Sequence, residues 1–197
     1  MSELVVSSSL KEFFKLLIGE VVNRQRVSIQ EVTEFYLVNL LSDYATSEKL
    51  FTDDSSGKKD TEPLAIMYHR AQLLDRDEKL KTLRRLGDVS LYTAGFFSQS
   101  LQDRMVGPEY YVEMGRAAYA TVAQMSAATA FSSVYQELHQ KFLNIVDVLE
   151  EIAARGMVAQ GPTGQMRVFE SYAASKKEHL GTVLIDIGMV SKKGFIS

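Results

Sequence analysis

Apolar side chains recur every three or four residues along almost the whole chain, which is the period of an amphipathic α-helix. This pattern predicts a first helix from about Leu10 to Asn23 and a second from about Ile29 to Tyr44. A third helix is predicted to begin at Pro63, because the missing amide hydrogen of proline costs nothing in a first helical turn. The longest predicted helix lies near 77–103, and we expect it at the centre of the fold.

The second half of the chain continues the helical period. Gly107 and Pro108 break the chain before a fifth helix, and a sixth is predicted at about 132–155, with Gly156 as its stop signal. Residues 162–197 are predicted to form a C-terminal helical appendage of two short helices packed on the bundle. No alternating apolar run is long enough to indicate a strand. The sequence therefore predicts an all-α fold, an irregular bundle of six to eight helices.

Residues 45–62 interrupt this pattern with the polar and charged run ATSEKLFTDDSSGKKDTE. The run is predicted to be a flexible loop or linker, and it is too long for a simple connection between two helices. It fits either an inert connector or a segment that folds on a partner. Residues 1–197 as a whole are assigned to one domain, since a chain of 197 residues can bury roughly 70% of its unfolded surface.

Small side chains repeat along one side of the predicted long helix, at Gly87, Ser90 and Ala94. The fifth helix is equally rich in small residues, including Gly115 and Ala118. Small residues allow two helix backbones to approach closely, so these two helices are predicted to pack tightly against each other.

Asp88 and Tyr92 lie on the opposite side of the long helix from Ser90 and Ala94. Arg84 precedes Asp88 by four residues, a spacing at which the two side chains can form an ion pair. The simplest interpretation is a solvated helix face. The alternative is that a seventh or eighth helix covers this side and buries a Tyr–Asp–Arg cluster, which would bind a ligand or fix the helix register.

Candidate catalytic and metal-binding residues are few. The absence of cysteine excludes disulfides, thiolate zinc sites and cysteine nucleophiles. His69, His139 and His179 lie in three different predicted helices without HExxH or ExxH spacing, and we interpret them as ordinary surface or boundary residues. A single axial histidine for a haem stays open. The nucleotide-binding motif GxxxxGK[ST] and the hydrolase motif GxSxG are both absent from the sequence. We therefore predict no metal and no cofactor and assign no catalytic residue. Whether the protein is an enzyme stays open.

The charge and the length of the apolar segments argue against two classes of partner, nucleic acids and membranes. The net charge is −3 with no basic excess, which is unlike a nucleic-acid-binding protein. No segment approaches the roughly 20 apolar residues of a membrane span. The N-terminal residues have no basic n-region and are interpreted as an amphipathic helix, not a signal peptide. We therefore expect no nucleic acid, no membrane association and a cytoplasmic location.

The middle of the chain contains LGD at 86–88, LY at 91–92, GFF at 95–97 and YYxxMGxxAY at 110–119. With these motifs the chain resembles, over about 28–155, a group of uncharacterised all-helical bacterial proteins. The resemblance implies a bacterial origin but no activity, substrate or cofactor. It marks four residues for inspection, namely Asp88, Tyr92, Gly115 and Tyr119.

Two functional hypotheses follow. The first is a non-enzymatic protein that acts through protein–protein interaction with an unknown protein partner, with a homodimer as one possibility. The second is a small-molecule-binding protein or enzyme with an apolar pocket of about 300 Å³ or more between helices, lined by aromatic and methionine side chains. The candidate ligand-binding residues for this pocket are Asp88, Tyr92, Tyr111 and Tyr119.

Overall fold

The computed structural model describes residues 2–46, 63–102, 106–129 and 131–191. Within these ranges the chain is helical and contains no strand, so the all-α prediction is confirmed. The described helices, in chain order, are α1 (Ser2–Gln25), α2 (Glu31–Thr46), α3 (Leu64–Ala71), α4 (Arg76–Phe96), α5 (Ser98–Gln102), α6 (Pro108–Met125), α7 (Ser132–Gln140), α8 (Phe142–Ala159), α9 (Pro162–Ser175) and α10 (Glu178–Asp186). Most of the predicted loop at 45–62 lies outside the described residues.

Two predicted helices are each broken in two, which accounts for the number of described helices exceeding six to eight. The long helix near 77–103 ends at Phe96, because Phe97 leaves the helical region with φ −120° and ψ 15°. The predicted helix at 132–155 is broken at Lys141, with φ −103° and ψ 19°. The Lys141 ammonium donates hydrogen bonds to Glu137 four residues earlier and to the distant Ser28 carbonyl, so a tertiary contact accompanies the break.

The predicted stop at Gly156 is wrong. Helix α8 continues through Gly156 to Ala159, and the chain turns only at Gly161, which has φ 104°. A positive φ is a conformation that glycine adopts without steric cost. Pro162 then begins α9, as predicted, and Pro108 begins α6 in the same way.

Helix α4 lies at the centre of the fold and packs against α3, α6 and α8. The predicted close contact between the small-residue strips is confirmed. A Cβ atom placed on Gly115 would lie 2.5 Å from the Phe142 ring and 2.8 Å from the Ser90 Cβ. Only the absence of a side chain at this position allows α4, α6 and α8 to meet so closely.

The C-terminal helices form a second, smaller apolar cluster on α8. Its buried members come from α8, α9 and α10, namely Ala154, Val168, Leu180, Val183 and Leu184. The backbones of α8 and α9 touch at Gly164, where an added Cβ would lie 1.9 Å from the Met157 carbonyl oxygen. The main apolar cluster lies on the other side of α8 and includes Tyr119, Phe142 and Leu149.

None of the described helices combines the length and the apolar character needed to cross a bilayer.

Candidate functional site

A cleft with a volume of about 650 Å³ opens between α2, α4 and the beginning of α7. Helix α2 packs against α1 and α7, and it reaches α4 mainly through long side chains, so a space remains between the two helices. The apolar and aromatic lining consists of Val32, Phe35, Tyr36, Leu40, Tyr44, Phe131 and Val134. The polar lining consists of Glu31, Asn39, Asp43, Arg84 and Asp88.

The Asp88 carboxylate, at the wall of this cleft, accepts hydrogen bonds from two tyrosine hydroxyls. The Tyr36 hydroxyl on α2 donates to Asp88 Oδ1 at 2.5 Å, and the Tyr119 hydroxyl on α6 donates to the same oxygen at 2.8 Å. Gly87 makes the second bond possible, because a Cβ there would lie 2.6 Å from the Tyr119 ring. The Asp88 side chain is 15% exposed, so the interpretation of a solvated helix face is wrong. The covering helix is α2, not a seventh or eighth helix.

Arg84 approaches the other oxygen of Asp88. Its Nε lies 3.8 Å from Oδ2, which is an ion-pair distance but beyond a hydrogen bond. The guanidinium carbon also lies 5.5 Å from the centroid of the Tyr36 ring, within the range of a cation–π contact. The predicted pairing of Arg84 with Asp88 is therefore present, but it is loose.

Burial sets the protonation of this cluster. Burial raises the pKa of Asp88 to about 6, against the opposing effects of the two tyrosine hydrogen bonds and of Arg84. Burial, together with the charge of Asp88, raises the pKa of both Tyr36 and Tyr119. The two phenols thus remain hydrogen-bond donors over the physiological range, while Asp88 is the group that titrates near neutrality.

The four predicted ligand-binding residues occupy different positions relative to the cleft. Asp88 lines it, and Tyr119 lies behind Asp88. Tyr92 is stacked between Tyr44 and Phe96, with ring centroids 4.7 Å and 4.6 Å away, and Tyr44 separates it from the cleft. Tyr111 is not part of the cleft lining and packs edge-on against Tyr110.

Tyr36 is the main residue that the sequence did not single out. It belongs to the apolar stripe of the second helix, where a phenol needs a partner for its hydroxyl if it is buried. That requirement is the available signal, but it does not identify the partner, which lies 52 residues further along the chain.

A second polar cluster joins α8 to α10 and could be mistaken for a metal site. The ligand atoms of Asp147, Glu150 and His179 all lie within 4.8 Å of one another. The Lys177 ammonium lies 3.2 Å from the Asp147 carboxylate and 2.6 Å from that of Glu150. The positive charge that a metal ion would bring to these carboxylates is therefore supplied by a lysine. We assign the cluster a structural role.

The partners of Glu150 stabilise its charge. Burial alone would raise the pKa of Glu150, but hydrogen bonds from His179, Lys177 and Ser98 lower it to about 2. His179 lies 2.9 Å from Glu150 and is buried, which corrects its interpretation as an ordinary surface or boundary residue.

Glu151, which follows Glu150 in the sequence, is fully buried and accepts hydrogen bonds from Arg24, Gln25 and Arg155.

Replacing Tyr119 with phenylalanine is expected to raise the pKa of Asp88 above about 6, because one hydrogen bond to its charged form is removed. The free energy of unfolding should fall by about 2 kcal/mol above that pH. Carboxyl NMR titration and denaturant unfolding measure the two effects. Tyr111→Phe on the same helix is the control and should leave Asp88 unchanged. An unaltered Asp88 titration in Tyr119→Phe would contradict the assigned contact.

Comparison with known proteins provides no functional information: no protein-family model, no curated protein and no solved structure matches this chain. The resemblance to uncharacterised helical bacterial proteins therefore stays a prediction.

Proposed function

We propose that the protein binds a small organic ligand in the cleft between α2, α4 and α7. The observation that carries this proposal is a largely buried carboxylate, Asp88, held by two tyrosine hydroxyls at the wall of a cleft lined mainly by apolar groups. A cleft of about 650 Å³ lies within the range of small-molecule sites, which combine apolar walls with a few fixed polar groups.

We propose binding and assign no catalytic step to the cleft. Among the described residues that line it, the hydroxyl groups are the phenols of Tyr36 and Tyr44, whose pKa burial raises, so both are poor nucleophiles near neutral pH. Asp88 has its Oδ1 occupied by two phenols, an arrangement that fixes the orientation of a carboxylate for recognition.

The test is a ligand screen by thermal shift, followed by titration of each hit. Phe131→Ala removes an aromatic wall that is 66% exposed, so the variant should fold normally. We expect it to weaken hits about fivefold, corresponding to about 1 kcal/mol of lost contact. Phe13→Ala removes a similarly exposed ring on α1, outside the cleft lining, and should leave affinity unchanged.

A second substitution tests the cleft by filling it. Asn39→Trp places a large side chain into the lining of α2 and should abolish binding of the same hits. Hits that bind both variants as tightly as the unaltered protein would contradict the assignment of the cleft as the ligand site.

The exposed apolar rim of the cleft favours a second candidate function, protein–protein interaction. Val32, Phe35 and Phe131 are 53%, 65% and 66% exposed on this rim. Contiguous exposed apolar groups are a feature of protein interfaces. A homodimer seen by light scattering and dissociated by Phe35→Glu would support this alternative, whereas a strict monomer counts against the homodimer.

A cytoplasmic, bacterial setting is proposed on the sequence alone.

A further inference from the structure

We infer that the cleft selects organic cations, specifically amines with an apolar or aromatic body. The inference rests on the proposed binding function and names the ligand class for the same site.

The lining of the cleft carries an excess of negative charge. Among the described residues, the cleft wall contains three carboxylates, from Glu31, Asp43 and Asp88, and one guanidinium, from Arg84. A cleft lined mostly by one sign of charge between apolar walls concentrates ions of the opposite sign. The lining therefore favours a cationic ligand over an anionic one.

One oxygen of the Asp88 carboxylate retains hydrogen-bond accepting capacity. Its Oδ1 accepts both tyrosine hydroxyls, whereas the described residues bring only Arg84 towards Oδ2, at 3.8 Å. That distance leaves Oδ2 able to accept a shorter, charge-assisted hydrogen bond. A ligand ammonium provides the donor, with the two phenols holding the carboxylate in place.

Aromatic rings line the cleft beside these carboxylates. Phe35, Tyr36, Tyr44 and Phe131 provide rings around the cleft, and a cation over an aromatic face is attracted by its quadrupole. The Arg84 guanidinium already makes such a contact with Tyr36. The Arg84 side chain is 53% exposed, so a ligand cation can displace it into solvent. Arg84 is accordingly a competitor within the protein for the position of the ligand cation.

The test compares three probes with the same phenyl body and different charge: 2-phenylethylamine, 2-phenylethanol and phenylacetate. Affinities are measured by NMR chemical-shift titration of the whole chain at neutral pH. We expect the amine to bind about tenfold more tightly than the alcohol, and phenylacetate to bind most weakly. Asp88→Asn should remove the difference between amine and alcohol, with circular dichroism confirming that the variant folds.

Arg84→Gln provides a test that does not alter the buried carboxylate. Removing the competing guanidinium should increase the affinity for the amine several-fold, while the alcohol changes little. Arg116→Gln, with the same change of charge at an exposed position of α6 outside the cleft lining, is the control and should have a much smaller effect.

The outcomes separate the two proposals. Equal binding of all three probes, weakened by Phe131→Ala, would overturn the cation preference and leave the binding site intact. Preference for phenylacetate, lost in Arg84→Gln, would overturn it in favour of an anion site. Shifts confined to residues outside the cleft, or no binding of any probe, would count against both.

Discussion

Replacing Gly164 with alanine is expected to lower the free energy of unfolding by about 3 kcal/mol. The new Cβ would lie 1.9 Å from the carbonyl oxygen of Met157 and 2.6 Å from its carbonyl carbon. These are backbone atoms of a helix and cannot rotate away, so α9 must move off α8. This displacement would open the apolar cluster around Val168 and Leu180. Denaturant unfolding followed by circular dichroism measures the loss.

Gly156→Ala is the matched control for this substitution. Gly156 also lies in a helix, α8, but an added Cβ there would meet nothing within 4 Å. Alanine should therefore raise stability by about 0.5–1 kcal/mol, since glycine is the poorer helix former. If both variants are equally stable, the helices do not touch at Gly164 as described.

Acidification is expected to destabilise the protein through Glu150. Its pKa is about 2 in the folded chain, against 4.5 for an unperturbed glutamate. A carboxyl whose folded pKa is lowered contributes stability above its unfolded pKa and loses that contribution as the pH falls towards the folded value. The contribution at neutral pH is about 3 kcal/mol, and it should disappear between about pH 5 and pH 2.

Glu150→Gln tests this linkage. The variant should be less stable at neutral pH and should show a smaller loss of stability between pH 5 and pH 2 than the unaltered protein. Glu170→Gln removes a carboxylate at an exposed position of α9 and should keep the original pH dependence. The same slope in Glu150→Gln as in the unaltered chain would refute the assigned role.

Asp88 acts in the opposite direction and in a different pH range. Because its folded pKa is raised to about 6, against 3.8 for an unperturbed aspartate, its ionisation costs stability as the pH rises from about 4 to about 6. In a pH titration of the unfolding free energy, Asp88 therefore gives a falling slope between about pH 4 and pH 6, whereas Glu150 gives a rising slope between about pH 2 and pH 5.

The helices and their central contact could be predicted because their causes are local. The apolar period, the prolines at helix starts and the small residues near Gly87 and Gly115 are properties of short stretches of chain. The breaks at Phe97 and Lys141 have no such signal, since neither residue is a glycine or a proline. At Lys141 the contact that accompanies the break, with the Ser28 carbonyl, comes from a distant part of the sequence.

The candidate site was only partly predictable for the same reason. The pairing of Arg84 with Asp88 follows from a spacing of four residues on one helix. The contact of Asp88 with Tyr36 depends on how α2 crosses α4, and no periodicity within either helix encodes that crossing. His179 and Glu150 are likewise brought together by the return of α10 onto α8. Sequence patterns indicate partners within one helix, as for Arg84 and Asp88, but not the partners on other helices.

Helix α8 contributes to the main and to the C-terminal apolar cluster, whereas α9 and α10 contribute buried residues only to the C-terminal one. Detachment of the C-terminal pair would therefore expose that aliphatic cluster and separate Glu150 from His179, while the main cluster keeps all of its buried members. Such partial openings require less free energy than global unfolding. Backbone amides of α9 and α10 should thus exchange with solvent deuterium sooner than those of α4, while the wall around Asp88 remains assembled.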